Sequence, residues 1–474
     1  MPNVDGLELT NKSALQSASQ YQIQDFYEAT GTSAREAETL IARHNYATLW
    51  TYAVNGILAC WLIANPHIFD YQSKQLAISD TISGALIILF ELIAFSPKLS
   101  FARFGTAAVA VWLLFAPLIF WSPTPAVFLT DTIVAIFLIA MSILIPGTPG
   151  SGGKSLDGPD MPMQWTYNPS SWIRRWAGIA LALVGFFISR YLAAHQLGYV
   201  SHAWDPFFGD GSDKVTGSAI SRAFPISDAG FGSVAYVIEV MTGFMGDRAR
   251  WRTAPWIVVL FAMVVLPLGV TSIILVITQP IFVGSWCGLC LCAAVALMTS
   301  VPLSVHEAIA VGQFLVAAKK QNKNMWRIFW MGGTVIGSGK QDPDRMNFTL
   351  LQRCAASVQG VNLPLTLALQ IVVGAWLMAR PDVLPLSGNS ANCDHLFGAI
   401  AVTMAMVSTA EVTRIVRFIN IPVGALVLLS GVVFGHGSIP VMASDIIAGV
   451  LLILSSIPRG SIAERYGNWD RFVR

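Results

Sequence analysis

Apolar residues dominate long, nearly unbroken runs at 47–65, 80–96, 102–121, 127–146, 176–195, 229–245, 254–278, 285–304, 363–380, 394–410, 419–434 and 441–458. Each run is about the length a helix needs to cross a ~30 Å hydrocarbon core. In lipid only a helix satisfies its own backbone along such a run, whereas a barrel would show short alternating strands. The pattern therefore predicts an all-α polytopic membrane protein with about 12 transmembrane helices. Polar stretches at 147–172, rich in Gly, Pro and Ser, and at 306–361, rich in Lys and Arg, divide the helices into three groups of four, at 47–146, 173–305 and 362–460. Polar tails at 1–46 and 461–474 flank them.

The outer groups are internally repetitive. Trp61-Leu62, Pro66 and Asp80 recur at the same spacing as Trp112-Leu113, Pro117 and Asp131, and again, with a loop one residue shorter, as Trp376-Leu377, Pro381 and Asp394. A fourth unit keeps Asp445 but has Leu426 and Gly431 where Trp and Pro would fall. Each flanking group thus reads as a duplicated two-helix hairpin, a pattern that resembles the SPW-repeat membrane domain. The repeated aspartates stand where a polar loop meets an apolar run, which reads as helix N-capping more readily than as a proton relay. Trp-Leu-x-x-x-Pro reads as an interfacial anchor followed by a helix stop.

Composition narrows the class. With 54% hydrophobic and 12% charged residues, a soluble domain is excluded, and a net charge of +2 with no basic run gives no reason to expect nucleic acid. The polar N-terminus lacks the pattern of a cleavable signal, so the first apolar run is expected to span. Lys98, Arg103, Arg174, Arg175, Arg248, Arg250, Arg252, the Lys-rich linker, Arg414, Arg417, Arg459 and Arg465 fall on alternate loops. The positive-inside rule places these loops and both termini in the cytoplasm. The opposite loops carry Asp70, Asp205, Asp210, Asp213, Asp228 and Asp382 against few bases, chiefly Lys74, Lys214, Arg222 and Arg380, and are expected outside. Compact loops suggest a bacterial plasma membrane, with a periplasmic or extracellular outer face.

Of six cysteines, only Cys287, Cys290 and Cys292 cluster, at the outer mouth of the last helix of the middle group. Residues three apart on a helix share a face, and the amides and dipole of a first turn favour a thiolate, so Cys287-x-x-Cys290 suits thiol–disulfide exchange. Cys60 and Cys292 read as small hydrophobes. No second ligand pair suggests zinc, and no metal is expected.

Here 172–305 resembles the vitamin K epoxide reductase family: a first helix, an outer loop with Ser212-Asp-Lys-Val-Thr-Gly-Ser218, then Phe224-Pro225-Ile226-Ser227-Asp-Ala-Gly230 leading to Tyr236, and Trp286-Cys287-Gly288-Leu289-Cys290. The resemblance implies a four-helix bundle around a quinone of the ubiquinone or menaquinone type, with Cys290 facing the quinone and Cys287 exchanging disulfides with the electron donor. It also implies that Ser218 lies near the pair, and Tyr236 and Trp286 are candidates for lining the quinone pocket. The family usually carries two further loop cysteines, and here the nearest places, around Pro206 and Ser212, hold none. A separate thioredoxin-like or other thiol protein is then the expected donor, with Cys393 as a candidate substitute shuttle. The rival reading is a membrane scaffold or transporter-like protein with a redox-inactive middle group. Haem binding is weaker, because His67, His202, His395 and His436 fall in or near loops.

Overall fold

The structure, a computed structural model, describes residues 33–143, 159–333, 348–384, 388–434 and 439–473. It is helical throughout, with only isolated bridges joining Trp165 to Tyr466 and Val361 to Ala410 among these residues. Twelve principal helices follow the apolar runs: α1 Ala34–Ile68, α2 Lys74–Ala94, α3 Arg103–Ile119, α4 Pro125–Ser142, α5 Trp172–Gln196, α6 Asp228–Phe244, α7 Pro255–Thr278, α8 Gly288–Lys320, α9 Leu365–Val383, α10 Asn389–Val407, α11 Asn420–Phe434 and α12 Ile439–Ser456. Nine of the described helices are long and apolar enough to cross a membrane. The other three are α6, α9 and α10, of 17, 19 and 19 residues, and each carries acidic or basic side chains.

Hairpins α1–α2 and α3–α4 pack into one bundle, and α9–α10 and α11–α12 into another. Between them lie α5 to α8, with α6 against α3 and α4 and α10 against α7 and α8. The first junction is apolar, built from Leu113, Leu114, Phe128, Val234, Val237 and Met241. Burial of these side chains contributes roughly 1.5–3 kcal/mol each relative to exposure in water, a comparison that weakens where the alternative is lipid.

Two expectations need correction. The repeated aspartates are not caps: Ser73 and Thr124 occupy the N-cap positions of α2 and α4, and Asp80 and Asp131 lie in the second turn, fully buried. Buried ion pairs also tie the helices, Arg103–Glu91 at 3.6 Å and Arg380–Asp445 at 2.6 Å between helices, and Arg250, in the turn between α6 and α7, to Glu307 of α8 at 2.6 Å. Arg380 is accordingly not an outer-loop base but a fully buried side chain of α9.

The loops read as linkers are partly built into the fold. Residues 144–158 and 334–347 lie outside the described residues, as do 1–32 and His436. The described part of the first linker buries Trp165 and Tyr167 against Tyr466 near the C-terminus. The helix expected over 285–304 runs on to Lys320, because Pro302 needs no more than a local adjustment and the sequence after it stays helix-favouring. Several arginines that mark topology satisfy helix ends rather than solvent. Arg175 donates to the carbonyls of Gly243 (2.8 Å) and Met245 (2.6 Å) at the end of α6, a C-capping role.

Candidate active site

Gly284, at a φ of +67°, closes the widened turn that ends α7 and lets the chain re-enter as α8. Cys287 is the N-cap of α8, and its Sγ accepts the Cys290 N–H at 3.1 Å, satisfying one of the unpaired amides of a first turn. The two cysteines form a disulfide across that turn, with Cα atoms 5.2 Å apart. The buried Gln279 side chain accepts the Cys287 N–H at 3.0 Å, fixing the cap from the preceding helix.

The outer loop after α5 closes over this turn. Asp205 Oδ2 accepts the Gly288 N–H (2.8 Å) and the Ser212 hydroxyl (2.7 Å), while Oδ1 accepts the N–H groups of Phe207 and Phe208, both at 2.9 Å. Burial pushes the Asp205 carboxyl up, but the amides of Phe207, Gly288 and Phe208 and the Ser212 hydroxyl outweigh it and hold the group below the usual carboxylate range. The Ser212 Oγ also lies 3.4 Å from Cys287 Sγ. Side chains at two glycines would prevent this contact: a Cβ at Gly211 would stand 2.0 Å from the Trp286 carbonyl, and one at Gly288 would stand 2.5 Å from Asp205 Oδ1. As a result Cys287 is 0% exposed.

Cys290 has a different setting. It borders a cavity of about 600 Å³ between α5, α6, α7 and α8, walled mainly by apolar side chains such as Leu192, Phe231, Met263 and Leu268. Its polar lining residues include Ser189, Ser218, Asp228, Tyr236, Thr271 and Gln279. Size and polarity match the sites that take largely apolar small molecules.

The residues singled out in the sequence separate into three sets. Cys287 and Cys290 are bonded to each other, with only Cys290 on the cavity. Ser218 and Tyr236 also line the cavity; the Ser218 hydroxyl donates to Val215 O at 2.7 Å, and that of Tyr236 lies 3.4 Å from Ala293 O. Trp286 is not among the lining residues: its indole N–H donates to Asp382 at 3.0 Å and its ring meets His395 edge to face at 5.4 Å, so it joins the middle group to α9 and α10. Cys393 is a free, partly buried thiol on α10. Sequence reasoning named Asp205 only as an outer-loop acid and Ser212 only as a place without a cysteine, and it passed over Gln279. A readable signal existed for Asp205, since Asp followed by Pro206 and two aromatic residues is a sequence suited to an Asx turn.

Residues 176–305 match the family model of the vitamin K epoxide reductase family, and residues 49–145 match that of the SPW repeat domain. No curated protein and no solved structure matches the chain.

Proposed function

We propose that this is a membrane thiol oxidoreductase that passes electrons from thiol proteins on the outer face to a membrane quinone through Cys287 and Cys290. The observation that carries this reading is the asymmetry of the pair, with one sulfur on a large apolar cavity and the other under a polar loop. A vitamin K epoxide reductase family domain over 176–305 supports it. In this reading the chain has twelve spans, both termini are cytoplasmic, and the pair opens to the periplasmic or extracellular side.

A donor thiolate attacks Cys287 Sγ, breaking the disulfide and releasing the Cys290 thiolate, and a second donor thiol displaces Cys287 to leave a dithiol in this chain and a disulfide in the donor. The apolar cavity beside Cys290 would hold a quinone, which when bound would supply the acceptor of two electrons and two protons needed to regenerate the disulfide. The α8 N-terminus stabilises thiolate at both cysteines. Gln279 and Asp205 hold the turn so that Cys290 stays on the cavity wall. Because Ser212 stands beside Cys287 where a shuttle thiol would be needed, the donor must reach Cys287 itself, which requires the loop carrying Asp205 to lift.

Full burial of Cys287 favours one rival, a scaffold in which the disulfide is only structural. Residue-resolved thiol alkylation in native membranes separates the two. The oxidoreductase requires that Cys287 and Cys290 become reduced with an added thiol protein and reoxidise on addition of a short-chain quinone. A pair that stays oxidised throughout, in intact membranes containing both reagents, overturns it.

A further inference from the structure

The flanking bundles are related repeats, and one of the buried positions at which they differ changes the charge beside the paired aspartates. In the C-terminal bundle Arg380 of α9 lies between Asp394 of α10 and Asp445 of α12, with Nε 3.0 Å from Asp394 Oδ2 and Nη2 2.6 Å from Asp445 Oδ1. All three side chains are buried, and one fixed positive charge serves two carboxylates. Arg380 immediately precedes Pro381 and follows Trp376 by four residues; in the N-terminal copy the residue between Trp61 and Pro66 in that register is Asn65.

There Asp80 of α2 and Asp131 of α4 are neighbouring, fully buried carboxyl groups, and among the described residues no guanidinium is paired with either. Asn65 is 0% exposed, and neither its amide nitrogen nor its oxygen has a hydrogen-bond partner; the same holds for Asp80 Oδ1 and both Asp131 carboxylate oxygens. The other Asp80 oxygen accepts from the Tyr71 hydroxyl, which also lies near Asn65. Arg190 of α5 is the nearest cation, but it directs its hydrogen bonds to Thr132 Oγ1 (2.8 Å) and Phe128 O (3.0 Å). Tyr199 faces the same region and donates to Ser122 O. The one titratable residue of α3, Arg103, sits at the far end with Glu91. On α6, which packs against α3 and α4, Asp228 is held by Gln196 and Ser221, Glu239 accepts from Ser300, and Tyr236 lies by Ala293.

Two neighbouring ionised carboxylates inside a bilayer repel each other and lack solvation, so the site requires one positive charge. The geometry points to Asp80, Asp131 and Asn65 as a binding site for one exchangeable proton, shared between the two carboxyl groups where the C-terminal copy has the permanent charge of Arg380. A proton bound there comes from water and returns to it, leaving one acid and one carboxylate, the same net charge as the Arg380 triad. The N-terminal bundle is then a proton-binding unit and the C-terminal bundle its locked counterpart. This holds whether or not the cysteine pair is redox-active.

Infrared difference spectra of the full chain in lipid test it. Wild type minus Asp131→Asn, and wild type minus Asn65→Arg, are each expected to show a protonated-carboxyl C=O band that shifts down in D2O and is unchanged when potassium replaces sodium at constant pH. Subtraction cancels other buried acids, such as Glu239. Asn65→Arg keeps both carboxylates while importing the charge of the other copy; if it fails to fold, Asp131→Asn and the cation exchange on wild type still decide. Absence of the band from the difference spectra overturns the proposal, and so does a band abolished by sodium, which would mark a metal-cation site.

Discussion

The hydroxyl of Ser212 lies 3.4 Å from the sulfur of Cys287, close enough to touch the atom at which disulfide exchange would begin, yet incapable of exchange itself. An oxygen there keeps the contact and removes the chemistry, so electrons cannot enter the pair from this loop. Restoring sulfur at that place is a direct test. Ser212→Cys is expected to yield peptides linked between position 212 and Cys287 after reduction and reoxidation, detected by mass spectrometry without reductant. Their absence would mean that the loop does not rest on the pair in the membrane.

Asp205 holds that loop through four hydrogen bonds, to Phe207, Phe208, Ser212 and Gly288. Asp205→Asn is expected to weaken loop closure by about 1–3 kcal/mol, since the carboxylate bonds are charge-assisted. Faster hydrogen exchange at the Gly288 amide is the readout. The bonds hold the folded carboxyl below its ordinary range, so their contribution is complete above the unfolded Asp pKa of about 3.9 and is lost as pH falls through the lower folded value. Loop protection should be flat from neutral pH to about 4 and fail below it.

Ala293 borders the cavity one turn beyond Cys290. Ala293→Phe fills space beside the sulfur, and is expected to slow reoxidation by added quinone at least tenfold, about 1.4 kcal/mol. Reduction of the disulfide by a small thiol should be unaffected. Equal slowing of both steps would indicate a distorted turn rather than a blocked cavity.

Removing the charge between the buried carboxylates of Asp394 and Asp445 is costly because, among the described residues, Arg380 is the cation paired with both. Arg380→Ala is expected to lower stability by about 3–5 kcal/mol, read as loss of the monodisperse peak in detergent or a lower Tm. Asp394→Asn in the same background should recover part of it, because one carboxylate then needs no counter-charge.

The helices were legible because lipid-spanning segments must be both apolar and long, and apart from α1, which begins well before its run, and α8, which continues well past it, the helices keep within a few residues of those runs. The cysteine pair was legible for a similar reason, since cap and third residue of one turn are neighbours in sequence as well as space. What sequence hid was contact at a distance. Asp205 and Gly288 are 83 positions apart, and nothing local distinguishes a loop carboxylate in solvent from one bound to a helix end. Asp80 looked like a cap because it begins an apolar stretch, but α2 starts six residues earlier, on Lys74 and Gln75, whose polarity suggested loop; Asp131 was read by analogy with it, although α4 starts at Pro125 and its first turn is already apolar. Trp286 looked like a pocket residue, and only the packing of α9 and α10 reveals its Asp382 partner.

Burial of Cys287 beneath Asp205 and Ser212 also sets a speed limit. If exchange starts at this sulfur, raising the donor concentration can accelerate turnover only until every opening of the loop is used. Beyond that the velocity levels off at the opening frequency, and two chemically unlike donors should then reach the same maximum.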